Sequence, residues 1–217
     1  MNVSLLEAIA LAVLPVVLAI TLHEAAHGYV ARQFGDSTAW MLGRVTLNPL
    51  KHIDPVGTVL VPLALLLFAK LAGGGGFLFG WAKPVPVNFG NLRHPKRDML
   101  WVAAAGPGAN LVMALCWAVV FRAAGEVFAS DGLREMARWG ILINVALMAL
   151  NLLPILPLDG GRILVSLLPH RLAMSYSRLE PYGFMAIILL LATGFLDKLM
   201  APLIDLSLGF VALVTGI

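Results

Sequence analysis

The stretch His23-Glu24-Ala25-Ala26-His27 lies near the end of the first long apolar segment of this 217-residue chain. In an α-helix, residues four positions apart project from the same face, so His23 and His27 are expected side by side. Two neutral imidazoles at this spacing can both ligate one zinc ion, while Glu24 lies beside the metal. Zinc lowers the pKa of bound water and a nearby carboxylate can accept its proton, so the stretch predicts a hydrolase.

The composition around this motif is typical of a membrane protein. Hydrophobic residues make up 60% of the chain and charged residues 12%, and the mean hydropathy is +0.90. A soluble domain has about 25% charged residues. The net charge of +3 is small and is scattered through loops. We therefore expect the lipid bilayer as the surroundings and no nucleic-acid partner.

Apolar segments are predicted at residues 3–32, 56–72, 99–120, 139–153, 182–196 and 199–214. At about 1.5 Å per residue, His23 and His27 lie roughly 27–33 Å from Leu5, close to the far interface of a ~30 Å bilayer core. The candidate metal site is therefore expected just below one membrane surface.

The polar loops between these segments predict short extended elements. Residues 35–55 are rich in turn formers and alternate polar and apolar residues at 44–47, which favours a loop with a short interfacial strand or hairpin. Residues 77–91 are expected to be extended because Pro84 and Pro86 flank Val85. The predicted fold is an all-α polytopic membrane protein, a bundle of about five to six transmembrane or re-entrant helical segments with short β-hairpin or extended elements at the interface.

A carboxylate follows a helix-breaking stretch at residues 151–162, Asn-Leu-Leu-Pro-Ile-Leu-Pro-Leu-Asp-Gly-Gly-Arg. Catalytic zinc commonly takes three protein ligands, and Asp159 is the candidate for the third, beside His23 and His27. Alternatively, the stretch is a simple helix stop with an Asx turn. A carboxylate at this depth needs a partner, which favours the metal.

Placing Asp159 beside the two histidines constrains the topology. Four full crossings before Asp159 would carry it to the opposite membrane face from His27. Residues 56–72 are the favoured non-crossing segment because they are short, contain Gly57 and Pro62, and precede four glycines. The loops at 32–55 and 77–98 then share one side and hold seven basic and three acidic residues. This positive-inside pattern predicts a cytoplasmic active-site face, although another segment could instead be the one that does not cross.

These motifs resemble the site-2 protease family of intramembrane zinc metalloproteases. Residues 23–27 match the HExxH motif of that family, and residues 151–160 match its Asn-x-x-Pro-x-Pro-x-Leu-Asp-Gly pattern, except that Leu156 replaces the second proline. Residues 106–110 and 80–88 also look like the family. The similarity extends over about residues 1–165 and suggests a minimal form without PDZ or CBS domains.

The resemblance implies roles for individual residues. His23, His27 and Asp159 would ligate one Zn²⁺ per chain, and Glu24 would be the general base. Asn151 would lie close to the substrate strand or the oxyanion. Its alternative role is to satisfy a carbonyl freed by a proline.

The predicted organisation is a single membrane-embedded protease domain over residues 1–217, in which the resemblance covers a catalytic core at about 1–165 and the apolar pattern predicts C-terminal helices at about 180–217. The expected activity is that of an intramembrane zinc metalloendopeptidase, which hydrolyses peptide bonds within or near transmembrane segments of membrane-protein substrates in regulated intramembrane proteolysis. The expected location is a prokaryotic cell membrane, with a regulatory membrane partner. The oligomeric state is not predicted.

Two other functions use the same residues. A metal transporter or metal-binding membrane protein would not need Glu24 as a base and would carry more polar residues inside the membrane. Residues 56–72 contain only two such residues, Thr58 and Lys70, which disfavours this function. A non-catalytic scaffold would not require every catalytic position to be filled, as it is here. His52 and Asp54 are interpreted as turn and interface residues in preference to a second metal site.

Overall fold

The computed structural model describes residues 5–61, 64 and 82–217, and every regular element in this part of the chain is helical. The α-helices are α1 (Leu5–Gln33), α2 (Thr38–Met41), α3 (Pro95–Glu126), α4 (Asp131–Asn151), α5 (Asp159–Leu167), α6 (His170–Ser177), α7 (Glu180–Ala192) and α8 (Phe195–Thr215). Short 3₁₀ turns at Pro49–Lys51 and Phe89–Asn91 and a π-helical segment at Pro55–Leu60 complete the described elements. The predicted all-α class is confirmed.

Three helices in the described residues are long and apolar enough to cross a bilayer, namely Ala10–Gln33, Pro95–Glu126 and Phe195–Thr215. The predicted number of five to six segments is not confirmed. Helix α4 carries four charged residues in its first eight positions, and α7 has 13 residues, whereas about 20 apolar residues are needed to span the core. The predicted re-entrant segment at 56–72 falls largely outside the described residues.

Local sequence signals explain where the helices begin. Pro95 occupies the first turn of α3, where no N–H is required, and the Asp98 carboxylate accepts the His94 N–H at 2.7 Å. Ser130 Oγ accepts the Leu133 N–H at 3.4 Å at the start of α4. Gly194 separates α7 from α8 with a φ of +68°, a conformation that glycine adopts without a steric penalty.

The helices pack through small side chains. Ala19 and Ala31 of α1 and Ala114 and Ala118 of α3 are all 0% exposed. Small residues at helix interfaces let backbones approach closely, which is the usual way membrane helices associate. One core cluster joins α3, α4 and α8 through Ala114, Ala118, Ile141, Val145 and Val211. Helices α1, α3 and α4 therefore form a rigid frame on which α5 packs against α3.

A buried carboxylate fixes the loops at one end of α1. Asp36 is 0% exposed and accepts hydrogen bonds from the Thr38 N–H and hydroxyl, the Asn88 N–H and the Asn91 amide, at 2.5–3.2 Å. Burial alone would raise the pKa of Asp36, but these donors outweigh it and hold the pKa below its usual range. The charged form of Asp36 thus ties residues 88–91 to the loop that follows α1.

The predicted interfacial β-hairpin is not formed in the described residues. The side chain of Arg44 donates from Nη2 to the carbonyls of Lys83 and Pro84, at 2.8 and 3.3 Å. Within residues 35–55, short helical turns form at Thr38–Met41 and Pro49–Lys51, and Pro84 and Pro86 have no N–H groups to donate to a ladder. Residues 82–88 are nevertheless non-helical, as their prolines predicted.

Candidate metal centre

Three potential ligands converge where the last third of α1 meets the first residue of α5. His23 Nε2 and His27 Nε2 are 3.1 Å apart, and each lies 3.3 Å from Asp159 Oδ2. All three residues are less than 10% exposed. The structure therefore brings together the three residues that the sequence predicted as ligands, although Asp159 is more than 130 positions from the histidines in the chain.

The orientation of His23 is fixed by a chain of buried amides. The Gly140 carbonyl can only accept, so Asn144 Nδ2 must donate to it, at 2.8 Å. Asn144 Oδ1 then accepts from Asn110 Nδ2 at 2.9 Å, which turns Asn110 Oδ1 toward His23 Nδ1 at 2.6 Å. His23 consequently carries its proton on Nδ1, and its Nε2 lone pair points at Asp159.

His27 is oriented by a backbone carbonyl. Its Nδ1 lies 2.7 Å from the Val102 carbonyl, which can only accept, so His27 also carries its proton on Nδ1. Asp159 Oδ2 is buried and has no hydrogen-bond partner. With both imidazoles neutral, as zinc ligation requires, three lone-pair-bearing atoms face one another, an arrangement that repels unless a cation is present.

The donor set fits zinc. Two imidazole nitrogens and a carboxylate oxygen are a common catalytic zinc set, and a tetrahedral ion bound at about 2.0–2.1 Å holds its ligand atoms about 3.3–3.4 Å apart. The observed separations of 3.1–3.3 Å agree with that value. Among the described residues, this is the group of His, Cys, Asp and Glu side chains that could hold a metal. His52 is not part of this group, and its Nε2 lies 3.1 Å from the Thr46 carbonyl.

Two glycines allow the backbone to approach the ligands closely. A Cβ built on Gly106 of α3 would lie 2.5 Å from His23 Cε1 and 2.6 Å from His23 Nε2. A Cβ on Gly160, next to Asp159, would collide with the carbonyl oxygens of Leu152 and Leu153. Glycine at both positions is therefore needed for α3 and for the turn before α5 to pack around the centre.

Glu24 is held by the non-helical segment that follows the undescribed residues. Its Oε2 accepts the Val85 N–H at 2.7 Å. The two residues that flank Val85 are prolines, so this segment directs a single amide donor at the carboxylate from its central position. Glu24 is adjacent to His23 in sequence, and the Val85 amide fixes the position of one of its two carboxylate oxygens.

Asn151 occupies the last position of α4, where its Nδ2 donates to the Leu147 carbonyl at 3.0 Å, one turn earlier in the same helix. The Leu147 carbonyl is not one that a proline frees, because the nearest following proline is Pro154. Its role in the reaction stays a prediction.

Asn110 and Asn144 had no predicted role. Both side chains are 0% exposed and lie within segments that were predicted to be membrane spans. Polar residues inside such spans usually face the interior of the bundle and serve a function. That rule is the signal in the sequence by which the two asparagines could have been found.

Comparisons with known proteins show the family of the chain. A family model for peptidase family M50 matches residues 119–193. A Bacillus subtilis protein named "Putative zinc metalloprotease YwhC" is 38% identical over 199 residues, which cover 89% of this chain and 85% of that protein. The chain belongs to peptidase family M50. This is the site-2 protease family that the motifs resembled, so the predicted family is confirmed.

More distant M50 relatives are mycobacterial. The proteins named "Putative zinc metalloprotease Rip2" from Mycolicibacterium smegmatis and Mycobacterium tuberculosis are 29% and 30% identical, over 83% and 80% of this chain and 66% and 62% of their own lengths. No solved structure matches the chain. Membership of M50 makes the chain a zinc metalloprotease, and with its apolar helices it is an integral membrane protein.

Removing the amide that orients His23 should weaken the metal site. Asn110→Ala is expected to lower zinc affinity by about 10- to 100-fold, because outer partners of metal-bound histidines typically contribute that much. The measurement is zinc affinity from competition with a chromogenic chelator. Asn144→Ala, one bond farther from His23, is the matched control and should cause a smaller loss. Equal zinc affinity in Asn110→Ala and wild type would contradict the proposed orientation.

Proposed function

We propose that this M50 peptidase is an intramembrane zinc metalloendopeptidase that hydrolyses peptide bonds within or near transmembrane segments of membrane-protein substrates. The observation that carries the proposal is the convergence of the buried side chains of His23, His27 and Asp159, whose ligand atoms lie 3.1–3.3 Å apart. The place of the two histidines near the end of an apolar, membrane-length helix supports a substrate that itself lies in the bilayer.

His23, His27 and Asp159 would hold one zinc ion, which when bound supplies Lewis acidity to a water molecule and to the substrate carbonyl. Glu24 accepts the proton of the attacking water at its carboxylate and returns it to the leaving amine. The Val85 N–H keeps that carboxylate in one orientation. Asn151 stabilises the oxyanion, for which its side chain must leave the Leu147 carbonyl when substrate binds.

Residues 1–217 form one membrane-embedded protease domain in this proposal, with the active site open to the cytoplasmic side of a prokaryotic membrane. The basic loops on the predicted active-site side and the bacterial origin of the relatives support this arrangement. Control would come from a regulatory membrane partner, or from a requirement that another protease shorten the substrate first.

The test is cleavage of a single-span substrate by the purified chain in liposomes. We expect about one zinc per chain, cleavage within or next to the substrate span, loss of cleavage on zinc removal by a chelator, and recovery when one equivalent of zinc is restored. The products are mapped by mass spectrometry. Cleavage that survives complete zinc removal, or that occurs only far from the span, would overturn the proposal.

A further inference from the structure

A groove of about 550 Å³ lies beside the loops that follow α1, outside the metal centre. Its walls carry the cationic residues Arg44, Lys51 and Lys83 and the apolar residues Leu42 and Leu50. None of the described residues that line it is acidic. The groove therefore combines concentrated positive charge with an apolar edge.

The arginine in this groove is the observation that points to a ligand. Arg44 is only 9% exposed, yet within the described part of the chain it forms no ion pair with a carboxylate. Its Nη2 donates to the carbonyls of Lys83 and Pro84, while its Nε is buried and has no hydrogen-bond partner. A buried cation without a counter-ion is costly, so an anion in the groove would offset the charge of Arg44.

The apolar edge indicates which anion fits. Leu42 is 62% exposed, Leu50 73% and Ile53 39%, and all three line the groove. They lie in the loops after α1, the end of which the sequence predicts to be close to the membrane surface. Nearby, the Arg32 guanidinium lies 3.6 Å from the centre of the exposed Trp40 ring, a pairing typical of the interfacial region. Exposed leucines beside the bilayer can contact lipid acyl chains, while the neighbouring cations of the groove contact a lipid headgroup.

The groove is separated from the catalytic residues by the segment at 83–86. Val85 is buried, its side chain points toward Gly28 of α1, and its N–H binds Glu24. Pro84 and Pro86 instead line the groove, as expected if neighbouring residues of a non-helical segment face opposite sides. The groove therefore opens away from the metal centre, which disfavours it as the seat of the scissile peptide.

We propose that this groove binds the phosphate group of an anionic phospholipid. Arg44, Lys51 and Lys83 contact the phosphate, and the acyl chains lie along Leu42, Leu50 and Ile53. A bound lipid would hold the segment at 83–86, and with it the Val85 amide, at a fixed depth in the membrane.

The test is lipid binding to the delipidated full-length chain in detergent, measured by native mass spectrometry. Phosphatidylglycerol, phosphatidylcholine and inorganic phosphate are titrated separately. The double variant Lys51→Gln/Lys83→Gln removes two exposed cations and leaves Arg44 in place, so the core is untouched. Arg178→Gln/Lys198→Gln removes the same charge from exposed sites elsewhere and is the matched control.

The expected result is preferential binding of phosphatidylglycerol over phosphatidylcholine, weakened about 30-fold in Lys51→Gln/Lys83→Gln and unchanged in the control. Equal loss in both double variants would indicate a diffuse charge effect and would overturn the proposal. Tight binding of inorganic phosphate without a preference for the lipid would also overturn it, because the ligand would then be a free anion. The outcome does not depend on proteolytic activity.

Discussion

Glu24→Gln is expected to retain one zinc per chain and to lose cleavage by about 10²- to 10⁴-fold, the usual contribution of a general base. The amide oxygen of glutamine can still accept the Val85 N–H, so the side chain keeps its position. What disappears is the ability to take a proton from water. Zinc content by elemental analysis and the initial cleavage rate of a single-span substrate are measured on the same preparation.

Glu126→Gln is the matched control for this variant. Glu126 makes an exposed ion pair with Arg122 at 3.0 Å, and such pairs contribute little to stability, so wild-type activity is expected. Full proteolysis in Glu24→Gln would contradict the proposed base. Zinc binding without proteolysis in either protein, wild type included, would instead favour the metal-binding or scaffold function.

Asp159→Asn is expected to reduce zinc affinity by more than about 100-fold and to abolish cleavage. Loss of an outer partner alone typically costs about 10- to 100-fold, and here a ligand and its negative charge are lost. The asparagine amide can also donate to the Nε2 lone pairs of His23 and His27, which lie 3.3 Å from the present carboxylate oxygen. The repulsion among the three acceptors is then relieved without a cation.

The melting temperature of Asp159→Asn tests the same ligand role. Zinc that binds only the folded state raises the melting temperature. Wild type is therefore expected to melt at a higher temperature with zinc than without it. Asp159→Asn is expected to show no such rise. Asp131→Asn, the same change in the first turn of α4 at an exposed position, is the control. An Asp159→Asn protein that still binds zinc like wild type would remove Asp159 from the ligand set.

Much of the candidate site could be predicted from short patterns in the sequence. The i, i+4 spacing of His23 and His27 on an apolar helix fixes their common face, because helical geometry is local. Asp159 was found less directly, from the rule that a carboxylate at membrane depth requires a partner. The structure brings these three side chains together.

The segment count and the hairpin were less predictable. Helix α4 is 21 residues long, yet its charged first turns exclude it from the membrane-length apolar helices, and α7 stops after 13 residues. A hydropathy pattern reports apolar stretches, whereas the helix ends that the structure defines decide how many apolar residues each helix contains. The hairpin predicted within residues 35–55 is absent from the described residues, where short helical turns form at Thr38–Met41 and Pro49–Lys51.

The class of the protein, its family and its predicted metal ligands follow from the sequence alone, since composition, helical spacing and motif are properties of the chain. The orientation of the ligands depends on tertiary structure. The Asn144–Asn110–His23 chain and the Val85 amide on Glu24 join residues 34 to 87 positions apart. Such bonds form between elements that approach each other through packing, here through glycine and alanine contacts among α1, α3 and α4, and no local pattern encodes that approach.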